Sequence, residues 1–170
     1  MRTLLGLFFV TLALTSCSTV PEPATKLERT SVLPLALNDN FQFRKMKQTF
    51  YQPVPPPTTT SEPILFDLVR REWGSLDNYD SEQRYGNYYI FFWRTTEEAD
   101  VTVRLEYRQS ALSNHVMAQE RYYPAAKGSF QSDFTVIGDD YLEFGRVTAW
   151  RALLIVDGKI VGLRQSFLWR

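Results

Sequence analysis

Thiols and imidazoles are almost missing from this chain, and their scarcity removes much of the chemistry that side chains perform. Cys17 is the only cysteine and His115 the only histidine. No internal disulfide is possible, and a zinc site built from several Cys and His ligands cannot be assembled within one copy. A Ser-His-Asp triad would have to use His115, which lies in the polar stretch "LSNHVM", and no G-x-S-x-G nucleophile signature accompanies it. His115 reads instead as a surface residue at the start of a strand. Glycine-rich loops of the kind that cradle phosphates are also lacking, so nothing here suggests a nucleotide site.

An excess of either charge is equally absent. Lysine and arginine number 19, aspartate and glutamate also 19, and no run of like charge exceeds two residues, as in "RR" at 70–71 and "EE" at 97–98. Without a basic patch or stripe, no nucleic-acid partner is expected. The chain has no apolar run long enough for a membrane-spanning helix: its one such stretch, Leu4 to Leu14, is eleven residues.

What the chain does have is apolar and aromatic bulk. Hydrophobic residues make up 44% of its 170 residues and aromatics 15%, enough for the core of one ordinary domain. Met1 and Arg2 precede the run Leu4–Leu14, in the layout of a secretory signal. The run ends in Leu14-Thr15-Ser16-Cys17, and there the sequence resembles the bacterial lipoprotein signal peptide, whose lipobox closes in the same order. The resemblance covers residues 1–17. It implies acylation of Cys17, removal of residues 1–16, and anchoring of the mature chain in the cell envelope by two or three acyl chains. Ser18 in place of Asp is similar to the outer-membrane default. Loss of Arg2 with the leader leaves 18 bases against 19 acids, a net charge of −1. With Cys17 acylated, a Cys-His catalytic pair is excluded as well.

Residues 17–61 read as a leash, because "STVPEPATK" and "PVPPPTTTSEP" favour extended backbone and cannot build a core. Between them "FQFRKMKQTFY" (41–51) is basic and aromatic. It reads as a first strand or a segment lying on the domain, and otherwise as a patch touching anionic lipid near the anchor.

From residue 62 onward the pattern is that of strands. "YYIFFW" (88–93) is a buried run, and "VTVRLEYR" (101–108) alternates, with Val101, Val103, Leu105 and Tyr107 on one side and Thr102, Arg104, Glu106 and Arg108 on the other. "HVMAQERYY" (115–123), with polar residues on both faces, reads as a strand near an edge. "SFQSDFTVI" (129–137) buries Phe130, Phe134 and Val136, and "VTAWRALLIV" (147–156), apolar on both faces, reads as a central strand. "IVGLRQSFLW" (160–169) sends Val161, Leu163, Phe167 and Trp169 to one side. Asp157-Gly158 between the last two is a type I′ hairpin signal. "TTEEAD", "QSALSN", "PAAKG" and "GDD" separate the runs as turns. "SEPILFDLVRREWG" (61–74) suits either a capped helix or a seventh strand.

The pattern predicts an all-β, antiparallel fold. Over residues 62–170 the strand number and spacing, the final hairpin and the connection "GDDYLEFGRV" resemble immunoglobulin-like or fibronectin-type-III-like sandwiches of about seven strands. Val147 stands where those domains carry a corner tyrosine, and no disulfide pair exists.

Two acidic clusters, Asp77/Asp80/Glu82 and Asp139/Asp140/Glu143, match no calcium-loop spacing and read as solvated turns. The better lead is aromatic: Tyr79, Tyr85, Tyr88 and Tyr122 are candidate surface-binding residues, with strand packing the competing role. The expectation is a non-enzymatic, lipid-anchored envelope protein without cofactor or metal. Its β-domain would bind or scaffold another envelope protein, or, in a second reading, bind carbohydrate or peptidoglycan through the tyrosines.

Overall fold

Two very long strands set the architecture. The computed structural model describes residues 23–52, 61–63 and 78–169. In it β3 (Gly86–Gln109) has 24 residues and pairs antiparallel with β4 (Met117–Ile137), which has 21. Fully extended, β3 would reach about 80 Å, whereas a domain of this size has a radius of gyration near 15 Å. The hairpin therefore has to bend. Its register slips twice, between Thr95 and Ala99 and again between Ala99 and Val101. Each slip leaves extra residues on one strand, as β-bulges do. Ala125 at φ 46° and Gly128 at φ 104° accommodate the bend on β4.

Around the bent hairpin the remaining strands form two layers. Before the bend, β2 (Phe41–Tyr51) pairs with β3. Beyond it, β5 (Val147–Val156) takes the same edge of β3, followed by β6 (Lys159–Gln165), while β1 (Thr25–Leu27) lies on β4. The strand order is β1-β4-β3-β5-β6, with β2 joined to β3. Helices α1 (Asn78–Arg84) and α2 (Asp139–Phe144) are short. The fold is thus all-β and antiparallel, as the sequence predicts. Its resemblance to immunoglobulin-like sandwiches reaches the antiparallel two-layer architecture, and the strand order is this chain's own.

The core lies in the concave side of the bend. Tyr89, Phe91 and Trp93 face Val101, Val103, Leu105 and Tyr107, all at most 1% exposed. Trp150 of β5 bridges the layers, its ring 5.5 Å from that of Phe91 and 6.1 Å from that of Tyr89. Ser132, wholly buried, accepts from the Trp93 indole at 2.9 Å and lies 2.6 Å from the Tyr123 hydroxyl. The alternation expected for 129–137 holds, β5 is central, and Asp157 (φ 49°) and Gly158 (φ 69°) make the expected tight turn. Gly86 is required by space: a Cβ there would stand 2.2 Å from the Val136 carbonyl oxygen.

Several expectations need correction. The four strands read at 88–93, 101–108, 115–123 and 129–137 are two, because "TTEEAD" and "PAAKG" face each other across the hairpin and bend it instead of ending it. The segment 115–123 does lie near an edge, one strand in, with the short β1 covering Ala118–Glu120. In "GDDYLEFGRV", α2 forms between Gly138 and Gly145, both at positive φ. The last run does not keep one face. After a slip at Leu154/Ile155, Val161 and Trp169 are buried, but Leu163 is 41% and Phe167 84% exposed. The leash boundary at residue 61 also fails, since β1 and β2 belong to the sheet. Of the segment 61–74, residues 64–74 lie outside the described residues, as do Cys17 and the leader.

The largest correction concerns Arg104 and Glu106, expected on the solvated face of their strand. Both are buried, at 6% and 2% exposure. Residues 28–38 run as a strap across this face. Ser31 accepts a hydrogen bond from Arg104, Leu33 packs on Leu153, Ile155 and Ile160, and Leu35 bridges to Ile160 of β6. Beneath the strap, Arg104 donates to Glu120 at 2.5 Å and stands 3.5 Å from Glu106, which accepts from Arg151 at 2.5 Å. The Trp169 ring lies 4.8 Å from the Arg151 guanidinium and 4.7 Å from that of Arg108.

Removing Glu106 leaves two guanidiniums facing each other under the strap. Glu106→Ala is expected to cost about 3–5 kcal/mol in urea unfolding, against less than about 0.5 kcal/mol for exposed Glu98→Ala. A loss below 1 kcal/mol at Glu106 would contradict the buried network. A second prediction concerns Tyr89, whose buried hydroxyl has no hydrogen-bond partner among the described residues. Burial, reinforced by nearby Tyr107 and Tyr141, pushes its pKa up from the ordinary value of 10.0. A folded-state pKa above the unfolded one favours folding below pH 10, and that contribution is lost as pH rises further. Between pH 10 and 11, wild type should lose up to about 1.4 kcal/mol more than Tyr89→Phe.

Candidate functional site

An open cleft lies where β2 begins beside β6. The strap supplies hydrogen bonds to β6 only at its start: Ile160 donates to Pro34, and Ala36 and Asn38 donate to Ile160 and Val161, all at 2.9 Å. Beyond Val161, no described strand pairs with that edge of β6, and β2 is paired on one side only. The cavity between them measures about 430 Å³, and Leu37, Phe41, Phe43, Val161, Leu163 and Arg164 are among its lining residues. Phe41 is buried at 3%, while Leu37 is 64% and Leu163 41% exposed. Gly162 lets the strands approach: a Cβ there would meet the Phe41 carbonyl oxygen at 3.1 Å. Asn38, Asp39 and Gln42 share the lining, so this is a trough of mixed polar and apolar character. A strand edge left open among the described residues forms one wall, a form suited to receive another strand.

The tyrosines singled out in the sequence do not share a surface. Tyr79 sits exposed on α1. Tyr85 packs into an aromatic cluster with Phe50 (5.6 Å) and Tyr141 (4.9 Å). Tyr88 is half-buried and donates to the Arg84 carbonyl at 2.8 Å, and burial raises its pKa. Tyr122 lies beyond the bend, its hydroxyl hydrogen-bonded to Asp100, which raises the tyrosine's pKa; the Ala125 backbone N–H first, and Tyr122 second, lower that of the aspartate. Tyr88 lines a cavity of about 440 Å³ on the outer face of β2, β3 and β4, together with Thr49, Tyr51, Ile90, Asp133 and Thr135.

No group of three or more His, Cys, Asp or Glu able to hold a metal ion occurs among the described residues. Asp139 accepts from Gln83 at 2.9 Å, and Asp140 pairs with Lys26. These acids thus tie α2 to neighbouring elements. His115 is exposed beside the turn Ser110–Leu112. Among the described residues no helix is long and apolar enough to cross a membrane.

Leu37 and Leu163 escaped sequence reasoning because they join a supposed leash to a strand face read as inward. The signal available was the count of apolar residues in "SVLPLAL", too high for a solvated linker. No protein-family model, curated protein or solved structure matches this chain.

Proposed function

We propose that the protein is a lipid-anchored component of the cell envelope, held at the outer membrane through Cys17, whose β-domain scaffolds another envelope protein. The open β6 edge carries this reading. An extended segment of the partner would continue the ladder that the strap begins, its backbone pairing with Gly162–Gln165 and its apolar side chains covering Leu37 and Leu163. Anchoring both proteins to one envelope raises their effective concentration, so a short interface suffices. The carbohydrate reading has less support, since Tyr79, Tyr85, Tyr88 and Tyr122 form no common platform for a sugar chain.

A photo-crosslinker at Arg164 in the lipidated protein, activated in cells, tests the proposal. One recurrent envelope protein should be captured, and capture should fall at least tenfold in Leu37→Glu/Leu163→Glu with its melting temperature kept within a few degrees. Recovery of only abundant membrane proteins or glycan fragments would contradict it.

A further inference from the structure

The geometry points to a second surface, which rests on the anchor at Cys17: we infer that the outer face of the β2-side layer lies against the anionic headgroups of the anchoring leaflet. Three observations converge on it. The first is the length of the tether. β1 is fixed on β4 from Thr25, and the described chain begins at Pro23. The six residue steps from Cys17 to Pro23 can span no more than about 22 Å at full extension. The domain is therefore moored close to the bilayer, not held out on a leash of forty residues.

The second is where Pro23 lies. It lines a cavity with Asp133, Thr135 and Ile137, on the outward side of β4. Asp133 and Thr135 also line the cavity of Tyr88 and Ile90, so Pro23 borders this outer face. Register carries the face across two more strands. Asp133 is opposite Ile90, which is opposite Lys47, and Gln131 is opposite Phe92, which is opposite Lys45. At a strand spacing near 4.8 Å, Lys45 and Lys47 stand about 10 Å across the sheet from β4.

The third is charge. Lys45, Lys47 and Arg94 are exposed on this face around the half-buried ring of Phe92, with the Lys47 ammonium 5.9 Å from the ring centroid. No carboxylate pairs with any of the three among the described residues. Among the described residues of β2, β3 and β4 this face carries one acid, Asp133, which accepts from Gln131 at 2.9 Å, and Asp140, paired with Lys26, borders it at the Pro23 cavity. A cationic, aromatic surface is the complement of an anionic lipid–water interface. Its attraction extends over about a Debye length, near 8–10 Å, so it acts only because the anchor is short.

The test uses the full mature protein purified from membranes, with intact mass reporting the acyl chains on Cys17. Reconstituted in vesicles of phosphatidylcholine, or of phosphatidylcholine with one-third phosphatidylglycerol, it is pulsed with an amine-acetylating reagent. Lys45 and Lys47 should react at least fivefold more slowly in the anionic vesicles, recover in half-molar salt, and leave Lys159 on the β5–β6 hairpin unchanged. Equal rates in both vesicles, with Cys17 acylated, would overturn the inference while leaving the anchor intact. If the mass shows a free Cys17, the anchor reading falls and the surface is judged alone by cosedimentation with the same anionic vesicles. A loss of at least tenfold in Lys45→Gln/Lys47→Gln/Arg94→Gln would sustain it, and equal sedimentation would overturn it.

Discussion

A single strand of 24 residues cannot lie flat in a domain this small, and the bend this forces on β3 and β4 organises the rest of the molecule. Because Trp93 and Val101 keep the same parity on either side of the slip, the strand folds toward one of its own faces. That face becomes the core. Edge pairing changes at the same place, β2 before the bend and β5 after it, so the bend divides the strands between two layers. The layers approach through Trp150 and stop short of closing between β2 and β6. The open cleft follows directly from the bend.

The strap acts on the opposite side. By crossing from β1 on β4 to Leu35 on β6, it covers a charged face, burying Arg104 and Glu106 and leaving Arg108, Glu120 and Arg151 partly exposed at its margin. Arg104 and Arg151 pair with Glu106 and Glu120, so each of these four ions has a partner, and Arg108 stands beside them against the Trp169 ring. Such networks contribute little net stability compared with an apolar packing, yet penalise any arrangement that breaks them. Their role here is register: Arg104 opposite Glu120, and Glu106 opposite Arg151, hold β3 to both of its neighbours.

What was legible in the sequence was local. The division of 101–108 into two faces, the strand at 88–93 and the Asp157-Gly158 turn depend on nearest neighbours, and they appear. The strand at 88–93 alternates, however, its Tyr88, Ile90 and Phe92 half-buried on the outer face, and is not buried throughout. Fold class follows from their sum. What was illegible depended on distant residues. "TTEEAD" and "PAAKG" carry turn chemistry, and only their pairing across the hairpin makes them a bend. Arg104 and Glu106 look solvated in any window, because the strap that buries them lies some seventy residues earlier. The candidate site joins Leu37 to Leu163 across most of the chain, so no local pattern marks it. Proline and threonine at 18–25 and 53–60 suggested one leash, yet the apolar stretch between them is part of the domain.

Amide hydrogen exchange tests most directly whether the bent hairpin is one structural unit. Phe91 lies before the bend and Val103 after it, both central in the sheet. One hairpin predicts that their amides exchange through the same opening, with equal free energies that fall together as urea is added, while Leu163 on the open edge exchanges far faster. Distinct opening energies for Phe91 and Val103, with different urea dependence, would show two independent hairpins and contradict the account.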